Sequence, residues 1–73
     1  MNIEIYTLEG CGPCHVVKSY LDQKGYDYSE YNVPRDLSAD EFIEKFPEAE
    51  GYPHTLVNGK FIDDLMLYLE GGL

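Results

Sequence analysis

The chain opens on a strand-like alternation in which apolar Ile3 and Ile5 take turns with Glu4 and Tyr6, and the run stops at Gly10. The period then changes. Val16, Val17, Tyr20 and Leu21 recur at helical spacing, with Pro13 near the start, Lys24 in the last turn and Gly25 placed as a C-terminal cap. The stretch from Tyr26 to Val33 is rich in Tyr and partly alternating, which predicts a second strand ended by Pro34, although the alternation slips near Glu30. Ser38-Ala39-Asp40-Glu41 spells a capping box leading into Phe42, Ile43 and Phe46, a short helix that Pro47 closes. Thr55, Leu56 and Val57 meet Asn58-Gly59, a strong hairpin signal, and Lys60-Phe61-Ile62 returns as its partner. Asp63 and Asp64 can cap a last helix whose Leu65, Tyr68 and Leu69 share one face before Gly71-Gly72 ends it.

The order strand, helix, strand, helix, strand, strand, helix predicts an α/β fold. One crossover makes the first two strands parallel and the hairpin completes a mixed four-stranded sheet, with helices on both faces. No repeat, low-complexity tract or linker interrupts the 73 residues, so a single domain over residues 1–73 is expected. A domain of that length buries only about 60% of its unfolded surface, and its stability margin is thin. Such chains often carry disulfide staples, yet the two cysteines here stand at 11 and 14. A bridge between them closes so small a loop that it restrains the unfolded chain very little, which points to reactive rather than structural chemistry.

Charge narrows the partners. Fourteen acidic against five basic residues give a net charge of -9, a surface that repels phosphate backbones and anionic lipids and steers basic proteins toward it. Nucleic acid and membrane are therefore not expected partners, and a monomer is. The first residues show neither a basic segment nor an apolar run of signal-peptide length, and no apolar run suits a bilayer, so a reducing cytoplasm is the expected compartment.

The chain passes from the first strand through Gly10 into Cys11-Gly12-Pro13-Cys14 and then a helix, which sets Cys11 at a helix N-terminus. Unpaired amides and the positive end of the helix dipole favour a thiolate there, the form that attacks disulfides. Cys11 is the candidate nucleophile. Cys14, one turn further in and more shielded, is the candidate resolving thiol, acting at high effective concentration. Glu9 opposes the helix terminus, so activation of Cys11 is expected to be partial at neutral pH.

These residues resemble the thioredoxin and glutaredoxin superfamily, over nearly the whole chain. Ile5-Tyr6-Thr7 followed by Gly10-Cys11 is similar to the approach to a glutaredoxin active site, whereas Cys11-Gly12-Pro13-Cys14 resembles the thioredoxin motif. Gly51-Tyr52-Pro53 before Thr55–Gly59 resembles the segment that carries a cis-proline facing the cysteines in both families. The resemblance implies a thioredoxin fold with strand order 2-1-3-4, a cis Pro53, and a Tyr52 backbone that pairs with an extended substrate segment. It implies thiol-disulfide oxidoreductase activity on protein disulfides, with ribonucleotide reductase among the substrates that relatives serve. No bound cofactor is implied; electrons come from a thioredoxin-reductase system or from glutathione. Departures from the glutaredoxin pattern are Leu8 where a Lys is usual, Pro13 where an aromatic is usual, and Asp63-Asp64 where a Gly pair is usual. Ile5 stands where thioredoxins bury an Asp, so proton transfer to Cys14 takes another route.

Two rivals follow from the same residues: a glutathione-dependent glutaredoxin that removes glutathione using Cys11 alone, and a redox-inert binding module with an acidic docking surface. Zinc held by the cysteines with His15 and His54 lacks the well-spaced second pair of structural sites, and no metal is expected. His15 and His54 are read as surface residues, and Tyr26, Tyr28 and Tyr31 as structural strand residues.

Overall fold

The computed structural model describes residues 1–71 and resolves seven elements: β1 (Ile3–Leu8), α1 (Gly12–Lys24), β2 (Tyr28–Val33), α2 (Ala39–Lys45), β3 (His54–Val57), β4 (Lys60–Phe61) and α3 (Leu65–Leu69). The sheet runs β2-β1-β3-β4, with β1 and β2 parallel and β3 antiparallel to both β1 and β4. This is the expected order. Gly72, part of the expected stop of the last helix, lies outside the described residues.

Alternation along β1 sends Ile3 and Ile5 to one face of the sheet and Tyr6 to the other, and each face acquires its own core. Ile3 and Ile5 pack with Val17 and Leu21 of α1, Val57 of β3 and Leu65 of α3. Tyr6 packs with Val33, Phe42 of α2 and Leu56, and both Tyr31 and Phe46 lie close to its ring. Helices therefore cover both faces: α1 and α3 on one, α2 on the other. Tyr20 of α1 bonds the Glu70 carboxylate at the end of α3, tying those two helices together.

Local chemistry sets the boundaries. Ser38 and Glu41 form the reciprocal capping box, with Ser38 Oγ accepting from Glu41 N at 3.1 Å and Glu41 Oε1 accepting from Ser38 N at 2.9 Å. Asn58 and Gly59 both take positive φ, 52° and 81°, as the two-residue turn between β3 and β4 requires. Gly25 caps α1 in the left-handed region at φ 78°. The amide of Tyr26 then donates back to Leu21 O at 2.9 Å, so β2 begins at Tyr28 rather than Tyr26.

Two apolar residues assigned to helix faces point outward instead. Val16 is 55% exposed and Ile43 is 59% exposed, because Val17 with Leu21, and Phe42 with Phe46, already fill the inward rows of α1 and α2. β4 also ends one residue early, with Ile62 N donating to Thr55 O at 2.9 Å beyond the strand. Leu21, fully buried, and Ile43 give a direct contrast. Leu21→Ala is expected to cost about 2–5 kcal/mol and Ile43→Ala about 0.5 kcal/mol or less, read from urea unfolding midpoints at unchanged slope.

Candidate active site

β1 delivers the chain to the cysteines through a tight turn. Cys11 N donates to Leu8 O at 3.1 Å, Glu9 N donates to Val33 O at 3.2 Å, and Gly10 supplies the positive φ of 80° between them. Cys11 is the N-cap of α1, in extended conformation, and its Sγ accepts the Cys14 amide at 3.1 Å. Pro13 falls in the first turn, where a missing N–H costs nothing. A helix end leaves its first amides without backbone acceptors, and here a sulfur takes one of them.

Cys11 and Cys14 are joined as a disulfide, with their Cα atoms 5.3 Å apart. Cys11 is half-buried while Cys14 is 2% exposed. An incoming sulfur therefore meets Cys11 first. The pair faces a cleft of about 490 Å³ lined also by Gly12, His15, Glu9, Thr7 and Lys18. Gly12 and His15 are exposed on its rim, and Pro13 is exposed between the two cysteines.

The Tyr52–Pro53 bond is cis. So is Val33–Pro34, which the sequence did not announce. Pro53 lines a separate, smaller cleft of about 330 Å³ with Val17, Asp63 and Asp64, adjoining α1 three residues beyond Cys14. Tyr52 packs its ring on Phe42 at 4.9 Å between centroids. Asp64 caps α3, its Oδ1 accepting Leu67 N at 3.1 Å. Among the described residues no group of three or more His, Cys, Asp or Glu side chains is placed to hold a metal, and no helix is long and apolar enough to cross a membrane.

His54 is not a surface residue. It is 3% exposed, stacked on Phe61 at 4.9 Å and packed beside Phe46 and Phe42. Its place on β3 two residues before Leu56 puts it on the α2 face, inside the aromatic core. Its Nε2 is buried without a hydrogen-bond partner. Burial pushes its pKa below the ordinary 6.5, with the charge of Glu48 opposing in part.

Sequence reasoning also passed over a polar cluster behind the cysteines. Thr7 donates to Glu30 Oε2 at 2.7 Å, Lys18 Nζ donates to the same oxygen at 3.2 Å, and Asn32 Nδ2 donates to Thr7 Oγ1 at 3.0 Å. The slip in alternation at Glu30 was its signal, since Tyr28, Glu30 and Asn32 share one face of β2 and that face meets α1.

A four-stranded β-α-β-α-β-β-α unit with a cysteine pair at the first helix N-terminus defines a thioredoxin-fold protein with a dithiol-disulfide centre. A model of the glutaredoxin family matches residues 3–62, and the chain belongs to that family. Glutaredoxin 3 of Escherichia coli K12 is 33% identical over 76 aligned positions, covering 99% of this chain and 92% of that protein. Gene 56 protein of Mycobacterium phage D29 is 33% identical over 51 residues, which make up 70% of this chain and only 57% of the phage protein. Among solved structures, the thioredoxin-like protein BC3987 superimposes with a TM-score of 0.75 at 26% identity, over 97% of this chain and 99% of that one.

The buried His54 carries a pH dependence with a definite sign. Its folded pKa is depressed, so its contribution to stability is complete above the unfolded value near 6.5 and is lost as pH falls from there through the lower folded value. Unfolding midpoints measured from pH 7.5 to 5 are expected to fall more steeply for the parent than for His54→Phe, and parallel curves would contradict the buried neutral imidazole.

Proposed function

We propose that the chain is a dithiol oxidoreductase that reduces disulfides in protein substrates through Cys11 and Cys14. The observation that carries this reading is the half-exposed Cys11 sulfur at the α1 N-cap, accepting the amide of a fully buried Cys14. In the reduced protein, the Cys11 thiolate attacks one sulfur of a substrate disulfide. That S–S bond breaks, a mixed disulfide forms, and the other substrate sulfur leaves as a thiolate that takes up a proton. Cys14, deprotonated, then attacks the Cys11 sulfur and releases the second substrate thiol. Two electrons have passed to the substrate, and the Cys11–Cys14 disulfide is the product left on the protein. Gly12 and Pro13 keep the approach to Cys11 low, and the Tyr52 backbone beside Pro53 offers strand-like pairing to an extended substrate.

The donor that restores the dithiol follows from charge. Glutathione is anionic at neutral pH and benefits from a cation and from free helix amides. Here the one lysine of the cysteine cleft, Lys18, is already paired with Glu30, Glu9 lies in the same cleft, Asp63 borders Pro53, and Asp64 already occupies an α3 amide. The reading is therefore reduction by a thioredoxin-reductase type of flavoprotein. The glutathione-linked alternative is favoured by the 33% identity to Glutaredoxin 3 across almost the whole chain.

Cys11→Ser is expected to abolish reduction of insulin-type disulfides, while Cys14→Ser accumulates a mixed disulfide visible by intact mass; earlier alkylation of Cys14 than of Cys11 in the reduced protein contradicts the assignment. With glutathione and glutathione reductase, turnover of the parent is expected to be slow and to rise several-fold in Asp63→Gly/Asp64→Gly, at roughly tenfold per 1.4 kcal/mol of repulsion relieved. Brisk, salt-independent turnover of the parent with glutathione would refute the charge argument.

A further inference from the structure

Four polar side chains interrupt the aliphatic layer between the sheet and α1. Thr7, 1% exposed, and Lys18 both donate to one oxygen of Glu30, and the Lys18–Glu30 ion pair is largely shielded, at 31% and 21% side-chain exposure. The Arg35–Asp36 pair, at 65% and 37%, stands in solvent by comparison. Lys18 is four residues beyond Cys14 on α1, hence on the same side of the helix, and it lines the cysteine cleft together with Cys11, Cys14 and Thr7. Its ammonium is thus the strong cation of that cleft, and its charge is answered by a carboxylate from β2.

We propose that Glu30 is a positioning residue for the redox centre. By holding and neutralising the Lys18 ammonium, it sets how readily the Cys11 thiolate forms and how strongly the cysteine pair takes up electrons. The proposal rests on the reading of Cys11 and Cys14 as a dithiol-disulfide centre. Reduction of the disulfide adds two electrons, and a proton settles on Cys14. The Cys11 sulfur either remains an anion or takes a second proton. The reduced form carries negative charge that the disulfide lacks, so a free cation nearby favours reduction and a free carboxylate opposes it. Glu30 stays ionised at neutral pH: burial alone would push its carboxyl up, but the hydrogen bonds from Thr7 and Lys18 outweigh burial and hold it below the usual range. Glu9 in the turn before Cys11, His15 on α1 and Arg35 after β2 also face this region, Asp63 and Asp64 ahead of α3 line the separate cleft at Val17, and all are constant when only Glu30 or Lys18 is changed.

The two partners of this ion pair are therefore expected to have opposite effects, which a bridge that merely pins α1 to β2 would not produce. The test uses Glu30→Gln, Lys18→Met and the double variant. Thiolate formation is followed against pH by absorbance at 240 nm and by iodoacetamide rate, and the redox equilibrium is measured against dithiothreitol. Glu30→Gln is expected to lower the thiolate midpoint and shift the equilibrium about three- to tenfold toward the reduced protein, tenfold being about 30 mV for a two-electron couple. Lys18→Met is expected to shift both readouts the other way, and the double variant to return to within about twofold of the parent. If Lys18→Met does not fold, Lys18→Gln takes its place. Shifts of the same sign in both single variants, or none in either, would overturn the proposal. These measurements need neither protein substrate nor reductase, so they stand or fall separately from the substrate assignment.

Discussion

The hydrogen bond from the Cys14 amide to the Cys11 sulfur sits where the central part of the sheet becomes the longest helix, and much of the molecule serves to hold that corner. β1 is paired on both sides, so the strand that presents Cys11 is fixed by β2 and β3 before the turn begins. Val17 and Leu21 anchor α1 onto Ile3 and Ile5 of the same strand, which closes the strand–turn–helix unit on itself. One sulfur then performs two tasks, as cap for an orphan amide and as the atom placed to attack, and the same electrostatics serves both.

The fold was legible because its signals are local. A capping box, an Asn58-Gly59 turn, a Gly25 cap and alternation at Ile3 and Ile5 each specify a backbone conformation within a few residues, and together they give the element order. The cysteine corner was legible for the same reason. His54 was not, because its burial comes from rings at 42, 46 and 61 that only the tertiary fold brings together. Ile43 and Val16 were misplaced by a related fault: apolar character shows that a residue can be buried, whereas the angular row already filled by Phe42 or Val17 decides whether it is. The polar cluster at Glu30 registered as an irregularity, since a carboxylate on the inward face of a strand is intelligible only once Lys18 and Thr7 are beside it.

The two faces of the sheet solve the problem of a short chain differently. The α1 and α3 side is mainly aliphatic and admits charge only where Lys18 and Glu30 satisfy one another. The α2 side, served by a seven-residue helix, relies on aromatic rings around Tyr6, which give more buried area per residue than aliphatic side chains. Three of the seven Tyr and all three Phe stand on that face, while Tyr20, Tyr26, Tyr28 and Tyr68 pack around the margin of the aliphatic core opposite, in a chain whose cysteines do no stapling. The redox corner is thereby relieved of structural duty, and its disulfide can open and close on a scaffold held by other means.

At the far end of β1, Asn2 and Asn58 exchange bonds, Asn2 N to Asn58 Oδ1 and Asn58 N to Asn2 O, each at 2.8 Å. The six residues of β1 then carry the chain roughly 20 Å, at about 3.3 Å per residue, before the turn to Cys11. The first residues are thus moored at the pole of the molecule opposite the sulfurs. A dye, a bead or an electrode linker joined to Met1 would hold the protein with its reactive end turned outward, giving an oriented film of redox centres in which the attachment and the chemistry do not compete for the same surface.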